Sequence, residues 1–69
     1  MTPTGTLVRH YTARELLESA ERAIRERRHG YANRVLTHRM SQREADSHIA
    51  RMEAIAAWLR QEADRERLL

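Results

Sequence analysis

The sequence predicts an all-α protein, an antiparallel two-helix hairpin that assembles into a helical-bundle homo-oligomer. Three observations support this prediction. Two segments open with a helix-capping pattern, both continue as apolar stripes with helical periodicity, and only a short turn separates them. A chain of 69 residues is also too short for more than one domain.

We interpret residues 1–11 as a flexible N-terminal arm and residues 12–69 as one helical hairpin domain. The arm contains a proline, a glycine and several threonines, without an apolar period. Its apolar residues Leu7 and Val8 are candidates for docking on a neighbouring molecule.

The first helix should span about residues 13–37. Thr12 and Glu15 have the spacing of a capping box, and Tyr11 and Leu16 have the spacing of a hydrophobic staple. Two signals therefore mark the same helix start. The apolar stripe of this helix consists of Leu17, Ala20, Ile24, Tyr31 and Val35, with Leu16, Ala23 and Leu36 at its flanks.

Gly30 leaves two interpretations of the first helix open. The apolar stripe has a gap just before it, and a glycine inside a helix costs about 1 kcal/mol relative to alanine. Gly30 could therefore cap the end of one helix, with a short second helix after it. Tyr31 and Val35 resume the stripe in phase, however, so we favour a continuous helix with a bend at His29–Gly30.

The second helix should span about residues 42–66, because Ser41 and Glu44 have the spacing of a second capping box. Its apolar stripe consists of Ala45, Ile49, Met52, Ala56, Leu59 and Ala63, with Ile55 widening it. The final residues, Leu68 and Leu69, are predicted to fray.

The link between the helices is so short that they must lie antiparallel. Folding about this turn pairs residues whose numbers add to roughly 80. Arg27 then lies opposite Glu53, with Arg28 near Met52, so we predict an Arg27–Glu53 ion pair between the helices. The apolar pairs predicted by this register are Val35 with Ala45, Tyr31 with Ile49, Ile24 with Ala56, and Leu17 with Ala63.

Apolar residues that remain off the seam between the helices predict self-association. They are more numerous than a monomeric hairpin usually exposes: Ala50, Ala54, Ala57 and Trp58. A homodimer that forms a four-helix bundle, or a higher oligomer, would bury them. The candidate interface residues are Ile49, Met52, Ile55, Trp58 and Leu59.

The composition restricts the function and the location of the protein. It contains no cysteine, which excludes disulfides and thiolate metal sites. No apolar segment is long enough to span a membrane, and the N-terminal segment lacks the pattern of a signal peptide, so we expect a cytoplasmic protein without membrane contact. Scattered histidines and the lack of a Gly-rich phosphate loop predict no metal, no cofactor and no enzymatic activity.

Positive charge is concentrated in the middle of the chain. The 13 basic residues are all arginine, and six of them lie between positions 25 and 43 with a single glutamate. An anionic partner, a nucleic acid or a nucleotide, would be held at the hairpin turn by four candidate residues: Arg25, Arg28, Arg39 and Arg43. The other interpretation is a basic end that attracts the acidic end of another copy.

Residues 39–55, RMSQREADSHIARMEAI, resemble a segment of small proteins encoded by bacteriophages and prophages of proteobacteria. The shared features are an Arg-Met-Ser/Thr turn, a Glu-Ala-Asp/Glu helix start and an Ile-Ala-x-Met-Glu-Ala-Ile run. The resemblance implies a phage origin and a helical hairpin, without an assigned activity. Many small phage proteins bind and block host components, so we expect a non-enzymatic protein that self-associates and binds a host protein. The alternative is a nucleic-acid or nucleotide binder that uses the arginine-rich turn.

Overall fold

The computed structural model describes residues 10–68, which form an antiparallel hairpin of two helices. Helix α1 comprises Ala13–Leu36, and helix α2 comprises Gln42–Leu68. Within residues 10–68 there is no strand. The all-α antiparallel hairpin predicted from the sequence is therefore confirmed.

Most of the predicted N-terminal arm falls outside the described residues, as does Leu69. The docking role of Leu7 and Val8 therefore stays a prediction. The last two arm residues, His10 and Tyr11, are described, and both are exposed. Tyr11 and Leu16 line the same open groove, and the packing contact of the hydrophobic staple stays a prediction.

Both predicted helix starts carry the hydrogen bonds of a capping box. At α1 the Glu15 N–H donates to Thr12 Oγ1 over 3.1 Å, and the Thr12 N–H donates to the Glu15 carboxylate over 2.9 Å. At α2 the Glu44 N–H donates to Ser41 Oγ over 3.0 Å, and the Ser41 N–H donates to the Glu44 carboxylate over 3.1 Å. Each box thus gives partners to backbone donors that the first turn of a helix otherwise leaves unpaired.

Helix α1 runs through Gly30 without interruption, which decides between the two interpretations in favour of a continuous helix. The backbone at Gly30 does not adopt a positive φ. A Cβ atom built at Gly30 would meet nothing within 4 Å, so no neighbouring element requires a glycine at this position.

A Schellman motif ends α1, and its left-handed residue is His38 where glycine is usual. The φ angle of His38 is 61°. The His38 N–H donates to the Val35 carbonyl over 3.1 Å, and the Arg39 N–H donates to the Arg34 carbonyl over 2.8 Å. These two bonds satisfy carbonyls at the helix end and turn the chain back, so that α2 begins at Gln42.

The two helices bury a narrow seam and enclose no core. Five of the described residues are buried, each with between 4% and 8% of its surface exposed: Ala13, Ile24, Ala45, Ala56 and Leu59. The half-buried residues along the seam are Leu17, Ala20, Tyr31, Val35, Ile49, Met52 and Ala63. All of them except Ala13 belong to the predicted apolar stripes, so the stripes are confirmed as the seam of the hairpin.

Contacts between the helices confirm the predicted register. Arg60 pairs with Glu21 at 2.9 Å, and the ring centroids of Tyr31 and His48 lie 6.0 Å apart. The residue numbers of each pair add to within one of the predicted sum, as a continuous antiparallel pairing of two helices requires.

The predicted ion pair between Arg27 and Glu53 is wrong by one residue. Arg28 pairs with Glu53, while Arg27 donates to the sulfur of Met52 over 3.1 Å. Successive residues of a helix lie about 100° apart around its axis, so Arg27 and Arg28 point to opposite sides of the seam. The pairing by residue number gave the level along the helix and did not distinguish the two sides.

Helix α2 continues past its predicted end at about residue 66 and reaches Leu68. The reason lies in a contact with the start of α1. Glu66 accepts a hydrogen bond from the Ala13 N–H with both carboxylate oxygens, at 3.1 and 3.0 Å. This contact holds the last turns of α2 against α1, so the helix does not fray before Glu66.

Candidate interaction surfaces

One side of the seam is covered by ion pairs between the helices. Arg28 pairs with Glu53, and Arg60 pairs with Glu21 at 2.9 Å. All four side chains are between 39% and 56% exposed, so each pair contributes only about 0–1 kcal/mol to stability. Their arginine stems nevertheless cover part of the seam, and their charges have partners within the hairpin.

The other side of the seam leaves two large apolar side chains of α2 uncovered. Ile55 is 55% exposed and Trp58 is 59% exposed. They lie three residues apart, so they are neighbours on the helix surface. Ile55, which the sequence predicted to widen the seam stripe, is therefore a surface residue.

The five candidate interface residues thus divide into two groups. Leu59 is buried in the seam, and Ile49 and Met52 are half-buried there. The hairpin itself uses these three side chains. Ile55 and Trp58 keep most of their apolar surface available to a partner.

A second exposed apolar area lies near the turn, on the side of the seam that carries the ion pairs. An open groove there is lined by apolar residues of both helices, among them Val35, Leu36, Ile49 and Ala50. Leu36 is the most exposed of the large ones, at 78%. It follows that apolar surface remains on both sides of the hairpin.

The four candidate arginines for an anionic partner are not brought together. Arg39 lies in the turn and Arg43 in the first turn of α2, and both are exposed. Arg28 already pairs with Glu53. Arg25 precedes the end of α1 by eleven residues, which places it about 17 Å from the turn along the helix axis. Of the four candidates, Arg39 and Arg43 therefore lie at the turn, and Arg25 and Arg28 lie away from it.

The ring of Tyr31, the aromatic residue nearest to the turn in sequence, packs against two neighbouring side chains. The Arg34 guanidinium carbon lies 5.9 Å from the centroid of its ring, and the His48 ring lies 6.0 Å away. An aromatic ring that is to stack with a base needs an open face. In this arrangement the Tyr31 ring contacts Arg34 and His48 instead.

Sequence reasoning missed two features that shape the ends of the hairpin. The first is the contact between the Ala13 N–H and Glu66, which joins residues 53 positions apart. The predicted register puts these two residues at one level, but the donor is a backbone N–H, which no residue type in the sequence marks. The second is the left-handed conformation of His38. A glycine usually marks this position at a helix end, and the sequence has a histidine there.

The described residues offer no built site for a metal ion or for membrane insertion. Within residues 10–68 no three or more His, Cys, Asp or Glu side chains form a group that could hold a metal. His10, His29, His38 and His48 are all exposed. Neither α1 nor α2 is long and apolar enough to cross a membrane.

Comparisons of the chain with protein-family models, with curated proteins and with solved structures found no match. The likeness to small phage proteins noted for residues 39–55 therefore stays a prediction.

Proposed function

We propose that this protein is a non-enzymatic binding protein that acts through self-association and through contacts with a protein partner. In keeping with its resemblance to small phage proteins, the partner is a host component in the bacterial cytoplasm. One observation carries the proposal: Ile55 and Trp58 are more than half exposed on a hairpin that buries only five of its described residues.

The exposed apolar surface of Ile55 and Trp58 costs free energy when it faces water. Each square ångström of apolar area removed from water contributes about 25 cal/mol, and tryptophan is among the residues that most often dominate binding energy. A hairpin with a narrow seam gains little stability from its own burial. Covering Ile55 and Trp58 with another helix would add to the stability of the hairpin.

Self-association is tested by comparing two substitutions of exposed apolar residues. Trp58→Lys should dissociate the oligomer, because it places a charge where apolar surface is to be buried. Leu36→Lys is the matched control, since Leu36 is also exposed but lies near the turn, away from Trp58. Light scattering over a series of micromolar concentrations measures the mass of each variant. A wild-type chain that stays a fully helical monomer of 8.2 kDa would contradict the proposal.

The protein-partner part of the proposal needs a partner first, identified by capture from host lysate on the immobilised wild-type protein. Titration of that purified partner with the wild type, Trp58→Lys and Leu36→Lys then compares the surfaces. The thermal midpoint of each variant must be measured as well. If Trp58→Lys retains its helices and its partner affinity, Trp58 is not the contact.

A second candidate function is the binding of an anionic partner, a nucleic acid or a nucleotide, at the turn. The observation in its favour is that Arg39 and Arg43 are exposed and form no ion pair with any other residue of the range 10–68. Arginines without a carboxylate partner can donate to phosphate oxygens.

This candidate is tested by retention on heparin and on double-stranded DNA at increasing salt. The double variant Arg39→Gln/Arg43→Gln should elute earlier than the control Arg65→Gln/Arg67→Gln, which removes the same charge from the other end of the hairpin. Binding through phosphate contacts weakens as salt rises, and fewer contacts reduce that dependence. Equal elution of the two variants would exclude a specific role for the turn.

A further inference from the structure

One stripe of residues along α2 lies beside the seam, and its basic and acidic residues are at opposite ends. It consists of six residues at steps of three or four: His48, Arg51, Ile55, Trp58, Glu62 and Glu66. We call it the outer stripe of α2. Its side chains are exposed except for that of Glu62, which is 30% exposed. Along the helix the order is basic, apolar and acidic.

The spacing of the outer stripe makes it complementary to a reversed copy of itself. If two α2 helices lie antiparallel, Arg51 meets Glu62, and Ile55 meets Trp58. His48 then meets Glu66. The mean residue number of each pair marks the level about which the two helices are related. The three means agree to within half a residue and lie at or just before Ala57. A single two-fold axis therefore satisfies all of them, as an interface between two identical copies requires.

The opposite orientation brings like charges together. In a parallel pair, Arg51 would lie at the level of the same residue in the second copy. Arg27 is on the same side of the seam and nearly level with Arg51, so it would add a further positive charge. Like charges that face each other across an interface oppose association, and this selects the antiparallel arrangement.

The part of α1 that lies beside the outer stripe has small side chains. Ala20 and Ala23 precede Arg27 by seven and four residues, so they lie on the same side of the helix as Arg27. Both are half-buried. Alanines at this level leave room for the second copy to approach Ile55 and Trp58.

From these observations we propose that a second copy of this chain occupies the outer stripe of α2, antiparallel to the first, with Arg51 of each copy against Glu62 of the other. The inference rests on the self-association proposed above and adds to it the face and the orientation. The contacts that Arg51 and Glu62 make in the hairpin do not oppose this pairing. Arg51 donates to Ser47 Oγ over 3.0 Å, and Glu62 pairs with an exposed arginine, Arg65, at 3.4 Å.

The test is a charge exchange carried out on two separate chains. Arg51→Glu places two pairs of like charges in its homodimer, and Glu62→Arg does the same with the opposite sign. Each homodimer should be weakened by about tenfold or more. When the two variants are mixed, every contact becomes an opposite-charge pair again, and the heterodimer should regain the wild-type affinity. Sedimentation of each variant alone and of the equimolar mixture measures this, with Trp58 fluorescence as a second readout.

The control is Arg25→Glu, which changes the charge by the same amount on the other side of the seam, where Arg25 borders Glu21 and Arg60. It should dimerise like the wild type, with helix content followed by circular dichroism. A wild-type dimer whose mixed variants show no recovery would overturn the orientation and leave self-association standing. A wild-type monomer would overturn both. Recovery in the mixture, without an effect of Arg25→Glu, supports the antiparallel pairing.

Discussion

The two ends of the hairpin are closed by different kinds of interaction. At the turn, the Schellman motif around His38 and the capping box of Ser41 join residues only a few positions apart. At the open end, the Glu66 carboxylate reaches the Ala13 N–H across 53 positions. Local bonds thus hold one end and a long-range contact the other, and both ends depend on the seam that lies between them.

The largest effect should come from breaking that seam with a charge. Ala56 is only 4% exposed, so Ala56→Asp buries a carboxylate without a partner and should cost about 3 kcal/mol or more of the free energy of unfolding. Circular dichroism at 25 °C should show the loss of both helices together. Survival of α1 alone would contradict the dependence of both ends on one seam.

Met52→Asp is the comparison that sharpens this prediction. From the sequence alone, this change would bury an unpaired charge in the seam. In the structure Met52 is half-buried and its sulfur accepts from Arg27 over 3.1 Å. An aspartate there would lie beside a guanidinium, so Met52→Asp should destabilise the hairpin less than Ala56→Asp does. Urea denaturation of the two variants at one protein concentration tests the order.

The next largest effect should appear at the open end. Glu66→Gln removes the charge from the group that accepts the Ala13 N–H at the positive end of α1, and it should cost about 1–2 kcal/mol. Asp64→Asn is the control, because Asp64 is exposed and its ion pair is with Arg67 of its own helix, at 3.9 Å. Hydrogen exchange of the first turn of α1 should quicken in Glu66→Gln and not in the control. Equal exchange in both would mean that the open end is not held by this contact.

The difference between the ends also explains what the sequence could predict. Capping boxes are local patterns, so both helix starts were predicted correctly. The level of each residue along the hairpin followed from the short turn. What failed was the choice of side, as with Arg27 and Arg28, because adjacent residues share a level and differ only in direction. The contact of Glu66 was missed because its donor is the backbone N–H of Ala13, and a backbone donor leaves no signal in a pattern of residue types.

The candidate surfaces were predictable to a smaller extent for the same reason. An apolar residue can face the seam or the solvent. Ile55 lies about 100° around the helix axis from its neighbour in the chain, Ala56, which is buried in the seam. The sequence placed it with the seam, and the structure exposes it. Likewise the arginines that cluster in the sequence are separated in space, because eleven residues of α1 lie between Arg25 and the helix end that precedes Arg39 in the turn.

At the turn, a stabilising substitution is expected. His38 has a φ of 61°, in the region where a side chain costs about 1–2 kcal/mol and glycine costs much less. His38→Gly should therefore raise the free energy of unfolding by about 1 kcal/mol, and His38→Val should lower it. Thermal denaturation at a single protein concentration measures both. If His38→Gly destabilises the protein, the imidazole makes a contact that outweighs its backbone strain.

A gain no larger than that of His38→Gly is expected from Gly30→Ala, in the middle of α1 and away from both ends. Alanine is favoured over glycine inside a helix by about 1 kcal/mol, partly because it restricts the unfolded chain. The added Cβ would meet nothing within 4 Å, so no steric cost offsets this gain. Ala54→Gly is the reciprocal control, since Ala54 is an exposed position in the interior of α2 and the variant should lose a similar amount of stability.

Because a midpoint of unfolding depends on concentration in an oligomer, both variants must be compared with the wild type at several concentrations. A gain that is uniform across them places the effect in the helix itself. A loss would show that Gly30 is needed by a partner that approaches α1 closely, which would add a second occupied surface to the hairpin.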